Sequence, residues 1–274
     1  MRFLFLGDMV GRSGRTAVWN RLPGLISDFK LDFVVVNGEN AAGGFGITEE
    51  IFLETINAGA DVVTTGNHVW DQREALEFAP RHERFLRPAN YPAGTAGRGS
   101  GVFIAKNGAR VLVANIMGRV FMHPELDDPF ACGRTILEAC PLGEQADAVI
   151  FDFHAEATSE KMCFGHFVDG KASLVVGTHT HQPTADHQIL TNGTGYMTDS
   201  GMCGDYDSSL GMEKEEPLNR FLSKVPKGRF EAAQGAATIC GVGLDISDRT
   251  GLCERIAPLR LGPRLEETIP SWWR

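Results

Sequence analysis

The sequence predicts an α/β fold in which two stacked, mixed β-sheets are flanked by helices. Three observations lead there. Strand-like and helix-like runs alternate through residues 1–64, the βαβαβ order of a mainly parallel sheet. Asn107-Gly108 between two apolar runs then signals a hairpin, and with it antiparallel pairing. Two further strand-like runs close around Ser247–Gly251 as a terminal hairpin.

Taken in order, Arg2–Leu6 is apolar but meets Gly7-Asp8 at once, so it reads as a buried first strand and not as the core of a secretion signal. A helix is expected from about Ser13 to Ser27, a strand at Phe33–Val36, a helix from Thr48 and a strand at Asp61–Thr64. Val102–Lys106 and Arg110–Asn115 flank the hairpin turn, whose two central residues must both accept positive φ. Val149–Phe153 and Leu174–Gly177 are buried-strand runs, and Ala236–Asp245 pairs with Leu252–Leu261. Gly118–Cys140 carries Pro124, Asp127, Asp128 and Pro129 ahead of a short helix and is expected to form a flap. No linker or repeat divides the chain, so residues 1–274 are read as one domain.

Composition narrows the function. The net charge is −9 and no Lys/Arg run forms a stripe, which argues against tight binding of nucleic-acid polymers. An acidic chain that handles phosphates needs metal ions to supply positive charge. No run approaches the roughly 18 apolar residues of a membrane span. Six cysteines without a C-x-x-C pair fit reduced thiols and a cytoplasmic setting.

Metal-ligand side chains recur just after the apolar runs, the edge at which open α/β sheets bind ligands. Asp8 follows the first strand, Glu39 and Asn40 the second, Asn67 and His68 the third, His154 follows Val149–Phe153, and His179 and His181 follow Leu174–Gly177. Singly, Asp8 could cap a helix and Asn40 could sit in a turn; it is the joint pattern that points to metal. His179 and His181 are two apart, so in extended chain they project to one side. A dinucleotide-binding alternative rests on Gly7, Gly11 and Gly14, but the spacing is wrong and Asp8 would face a pyrophosphate. A non-catalytic module that senses nucleotide or metal is the other alternative. Cys163 near His166 lacks a third residue for a thiol nucleophile.

Gly66-Asn67-His68 and Gly177-Thr178-His179-Thr180-His181, with Gly7-Asp8 and His154, resemble the calcineurin-type metallophosphoesterases. More narrowly, Phe5–Gly11, Asn37–Gly44 and Asn115–Phe121 resemble the YmdB-like phosphodiesterase branch along nearly the whole chain. The wider superfamily's D-x-H reads Asp8-Met9-Val10 here, and Glu39 replaces its second aspartate, changes that the branch shares.

The resemblance implies a four-layer αββα sandwich and two metal ions, one held by Asp8, Glu39, Asn40 and His181, the other by Glu39, Asn67, His154 and His179, with Glu39 bridging. It implies iron first, then manganese, with zinc also suited to oxygen and imidazole ligands. A hydroxide shared by two ions about 3.5–4 Å apart would attack phosphorus, and His68 would protonate the leaving oxygen. The implied substrate is a small phosphodiester, a 2′,3′-cyclic nucleotide such as 2′,3′-cyclic AMP, with short RNA as a further candidate and a homo-oligomer as the assembly. Arg119 on the flap is a candidate phosphate contact, and Tyr206 a candidate to stack on a base.

Overall fold

A computed structural model describes residues 1–273. In chain order the elements are β1 (Arg2–Leu6), β2 (Asp8–Met9), α1 (Gly11–Phe29), β3 (Phe33–Asn37), α2 (Glu49–Asn57), β4 (Val62–Thr64), α3 (Ala75–Phe78) and β5 (Phe85–Leu86). There follow β6 (Ser100–Ile104), β7 (Arg110–Met117), α4 (Pro129–Ala139), β8 (Ala148–His154), α5 (Thr158–Phe167), β9 (Leu174–Thr178), β10 (Gln188–Ile189) and β11 (Gly195–Met197). The chain closes with β12 (Met202–Asp205), α6 (Glu215–Ser223), β13 (Ala237–Ile246) and β14 (Cys253–Leu261).

These strands form two mixed sheets, as the sequence predicts. In the first, β1, β3, β4 and β5 run parallel, while β13 pairs antiparallel with β1, β14 and β12. In the second, β7, β8, β9 and β11 run parallel, with β6 and β10 antiparallel at the edges. The strands' two-residue period sorts their apolar side chains into three cores. Phe3, Phe5, Val35, Val113, Ile150 and Val176 fill the space between the sheets. Leu4, Leu6, Val34 and Val36 turn outward onto Val18 and Leu22 of α1. Val149, Phe151 and Phe153 turn outward onto Leu137 of α4 and Phe164 of α5. The layers therefore run helix, sheet, sheet, helix. Among the described residues, no helix is long and apolar enough to cross a membrane.

One local expectation changes. At the β6–β7 hairpin Gly108 takes a positive φ of 87°, but Asn107 does not. The Asn107 Oδ1 accepts from the Ala109 N–H at 3.1 Å, which holds Asn107 in an ordinary turn conformation and leaves the left-handed position to glycine. The short helix expected within Gly118–Cys140 is α4, whose Leu137 sits in the outer core; the loop before it is anchored by Met122 and Leu126 against Met117. The glycines that suggested a dinucleotide site serve packing. A Cβ on Gly7 would lie 1.8 Å from the Gly201 carbonyl oxygen, and one on Gly14 would lie 2.0 Å from that of Cys203.

Phe164 is fully buried and packs against the rings of Phe130, Phe151 and Phe153, 4.3–5.7 Å between centroids. Phe164→Ala should therefore cost about 3–5 kcal/mol of stability, read as a lower urea midpoint at unchanged slope.

Candidate metal centre

The C-terminal ends of the parallel strands in both sheets meet at one rim. Asp8 lies in β2, which pairs parallel with Met202–Cys203. Glu39 and Asn40 follow β3, Asn67 and His68 follow β4, His154 is the last residue of β8, and His179 and His181 follow β9. Asp8, Glu39 and His154 are completely buried, and one ligand atom from each lies within 4.8 Å of the others. The two histidines after β9 do not reach the rim as extended chain. His179 has φ 97° and His181 φ 64°, so two left-handed residues bend the loop over the strand end.

The hydrogen-bond directions define what this cluster wants. Thr178 Oγ1 donates to Asp152 Oδ1 at 2.7 Å and accepts from His154 Nδ1 at 2.9 Å. That leaves His154 Nε2 facing Glu39 Oε2 at 2.7 Å, Asn67 Oδ1 at 2.9 Å and His179 Nδ1 at 3.2 Å. All of these neighbours carry lone pairs. Without a metal ion, a proton on His154 is what reconciles them. Burial opposes that charge, but Glu39 first, then Asp8 and Asp152, outweigh it and push the imidazolium up to about 9. Burial likewise opposes a charged Glu39, yet His154 and His68 pull its carboxyl down to about 2. Burial and the neighbouring His154 take His179 down to about 3, so it stays neutral with a lone pair to offer.

A second group lies alongside. His181 Nδ1 donates to the Leu210 carbonyl at 2.9 Å, which frees Nε2; that atom is 3.0 Å from Asn40 Nδ2 and 3.8 Å from Asp8 Oδ1. Asp8 Oδ2 accepts from the His179 N–H at 3.2 Å. Asp8 Oδ1 is buried without a hydrogen-bond donor, and Glu39 Oε2 has one only while His154 is protonated. Burial first, with Glu39 and Asp199 adding to it, raises the Asp8 carboxyl despite the pull of His181 and His154. An orphaned Asp8 oxygen, and a Glu39 oxygen that depends on a proton on His154, set among imidazole and amide lone pairs, fit cations. Gly66 makes the room: a Cβ there would lie 2.3 Å from His154 Nε2 and 2.4 Å from Glu39 Oε2.

His68 stands slightly apart. Its backbone N–H donates to Glu39 Oε1 at 2.7 Å, and its ring Nδ1 donates to Asp71 Oδ2 at 2.8 Å, which leaves Nε2 as the ring's other working atom. His68 lines a cavity of about 390 Å³ together with Asn40, His179 and His181. A larger open cleft of about 710 Å³ lies by Met1, Asp32 and Asp248, at the opposite ends of the strands, and holds none of the sequence-predicted residues.

Two expected substrate contacts are not at this cavity. Arg119 lies outside its lining, and its guanidinium turns to Asp128 Oδ2 at 3.7 Å. Tyr206 is anchored by its hydroxyl, which accepts from the Met202 N–H at 2.9 Å and donates toward the His181 carbonyl at 3.2 Å; its ring is fixed behind the loop and is not offered to a base. Sequence reasoning also missed the residues that orient the ligands. Asp152 lies two positions before His154 on the same strand face, a charge in an apolar run, and that is the signal that could have found it. Glu156 faces His179 Nε2 at 3.4 Å. Lys161, 1% exposed, donates to Asp199 Oδ2 at 2.8 Å and to the Thr178 carbonyl at 2.9 Å, and Asp199 takes the Thr180 N–H at 3.0 Å. This buried pair clamps the loop that bears both histidines.

A profile of the family described as YmdB-like protein matches residues 4–259. The chain belongs to the YmdB-like family. The Bacillus subtilis (strain 168) protein named 2′,3′-cyclic-nucleotide 2′-phosphodiesterase is similar to this YmdB-like chain, with 47% identity over 251 residues, 91% of this chain and 93% of its own. The crystal structure of a Mycoplasma pneumoniae protein, described as a novel phosphatase, is similar with a TM-score of 0.89 at 32% identity, covering 96% of this chain and 93% of that one. Calcineurin-like phosphoesterase YfkN from Bacillus subtilis shares the fold at a TM-score of 0.57 and 11% identity, over 100% of this chain and 93% of its own.

Two outcomes follow for the centre. Loading metal-free protein with manganese at pH 7–8 should release about one proton per chain, because His154 must be neutral to ligate; calorimetry in buffers of differing ionisation enthalpy reads it. Gly66→Ala should keep the wild-type circular dichroism spectrum but lose metal by elemental analysis, since the added methyl occupies the space between His154 and Glu39.

Proposed function

We propose that this chain is a metal-dependent phosphodiesterase acting on 2′,3′-cyclic nucleotides. The observation that carries the reading is the donor-poor cluster of buried Asp8, Glu39 and His154, with half-buried Asn67 and His179 against it and one Asp8 oxygen left without a donor. In this reading Asp8, Glu39, Asn40 and His181 hold one ion, and Glu39, Asn67, His154 and His179 hold the other. The mixed oxygen and imidazole donors favour iron, then manganese, with zinc also accommodated. When bound, the ions supply positive charge for the phosphate oxygens and a water acidic enough to attack at neutral pH.

The protein groups do the rest. Glu39 sits between the two donor sets because its Oε1 is held by the His68 N–H and its Oε2 faces His154. Asn40 turns its Nδ2 toward His181, so its amide must swing over to offer Oδ1 as a ligand. His68, oriented by Asp71, gives its Nε2 proton to the leaving ribose oxygen. The identity of 47% to a 2′,3′-cyclic-nucleotide 2′-phosphodiesterase supports the substrate class. A small diester suits the 390 Å³ cavity and the acidic surface; short RNA is a lesser candidate, and a cytoplasmic homo-oligomer is the setting we propose.

Elemental analysis and hydrolysis of 2′,3′-cyclic AMP on one preparation test the proposal. His68→Ala should retain metal while turnover falls about 10²–10⁴-fold, the usual weight of a general acid. Metal-reconstituted wild-type protein that leaves 2′,3′-cyclic AMP intact would sink the diesterase reading. Metal loss in His68→Ala would make His68 a ligand instead.

A further inference from the structure

Away from the histidines, the wall of the 390 Å³ cavity changes character. It is formed by Leu210, Met212, Phe221 and Phe230, with Phe45 at the join, its ring 5.1 Å from that of His68, and it offers rings, aliphatic carbon and a thioether. We infer that this wall seats the nucleobase of the substrate by stacking, and that Phe221 of α6 is a specificity-determining residue. The inference rests on the phosphodiesterase reading and adds how the rest of the substrate is recognised.

The cavity has two unlike halves. One carries Asn40, His68, His179 and His181, with Glu156 beside His179, and takes the phosphate through the ions the site would hold; the other is apolar and aromatic. A ligand that satisfies both is charged at one end and flat and weakly polar at the other, which describes a mononucleotide. The apolar half is also preformed. Ser209 and Met212 exchange backbone hydrogen bonds of 2.8 and 3.0 Å, and Gly44 packs so closely on Met212 that a Cβ would lie 2.7 Å from its methyl carbon. The Arg220 guanidinium lies 4.0 Å from the Phe230 ring centroid and is itself fixed by Glu216 at 2.7 Å and the Gly228 carbonyl at 3.1 Å. Leu210 belongs to both halves, because its carbonyl orients His181 while its side chain lines the wall. Phe221, by contrast, is 75% exposed, a large ring at the cavity mouth with most of its surface still in water.

A wall of this composition reads that a base is present, not which base it is. Every base has a π-face, whereas telling bases apart requires donors and acceptors aimed at their edges. Purine and pyrimidine cyclic nucleotides should both be substrates, with the larger purine rings modestly preferred.

The test compares full-length, metal-loaded wild type and Phe221→Ala on three diesters: 2′,3′-cyclic AMP, 2′,3′-cyclic UMP and methyl riboside 2′,3′-cyclic phosphate, which has no base. Calorimetric binding of 3′-AMP against ribose 3-phosphate is measured in parallel. Wild type should favour the base-bearing diesters in kcat/KM by about tenfold or more, with AMP and UMP within about tenfold of each other. Phe221→Ala should cut that preference about fivefold, through KM rather than kcat. Equal kcat/KM with and without a base would overturn the base seat, as would a preference that survives Phe221→Ala. Leu218, Phe221, Leu222 and Val225 form an exposed stripe along and just beyond α6, so sedimentation is run as well. A variant that changes assembly while keeping discrimination would make the wall a contact between copies of the chain. Inactivity on all three diesters with tighter binding of 3′-AMP than of ribose 3-phosphate would sink hydrolysis and keep the base seat. Equal binding of those two ligands would sink the seat.

Discussion

The buried carboxylate of Asp152 is the contact on which the rim depends. It accepts from Asn37 Nδ2 at 3.0 Å and Thr64 Oγ1 at 2.5 Å, both in the first sheet, and from Thr178 Oγ1 at 2.7 Å in the second. Burial pushes its carboxyl up to about 7, so the polar neighbours are what make the position tolerable. Through Thr178 it also fixes which nitrogen of His154 carries hydrogen. One side chain thereby ties the two sheets together at the rim and aims the His154 imidazole. Such outer contacts are commonly as important to a metal site as the ligands themselves.

A second buried pair governs the other wall. Lys161 and Asp199 are removed from water at some cost, and a buried ion pair is weak evidence of stability in itself. Its partners indicate what it is for: the Thr178 carbonyl, the Thr180 N–H and hydroxyl, and the Gly201 N–H all bond to it. His179 and His181 adopt positive φ, a conformation that L-residues avoid, and the clamp over-determines the loop that contains them. Strain and clamp occur together where two imidazoles must converge on one small volume.

The electrostatic logic follows from this packing. Carboxylates and imidazoles are crowded in a buried volume, and protonation of His154 is the balance they reach on their own. A chain of net charge −9 would repel phosphate; cations held at the rim by Asp8 and Glu39, as proposed, would attract it. Next to that charge the cavity is aromatic, and Leu210 joins the two halves through one residue's carbonyl and side chain.

Much of this was legible in the chain itself. Unbroken apolar runs in Arg2–Leu6 and Phe33–Asn37 determined the buried strands, because both faces of each meet an apolar layer. Polar residues placed just after such strands gather where the strand ends of the two sheets meet, so Asp8, Glu39, Asn40, Asn67, His68, His154, His179 and His181 are legible as a set from the sequence. Distant partners were not legible. Asp152 reaches Asn37 across 115 positions and Lys161 reaches Asp199 across 38, and neither pairing leaves a local pattern. Arg119 and Tyr206 were misplaced for the same reason: residue type suggests a role, while the direction of a side chain depends on what packs around it. The sequence determined which residues could carry the chemistry, since periodicity and strand ends are local properties; only the tertiary structure decided which atoms face one another, because that is set by contacts between segments far apart in the chain.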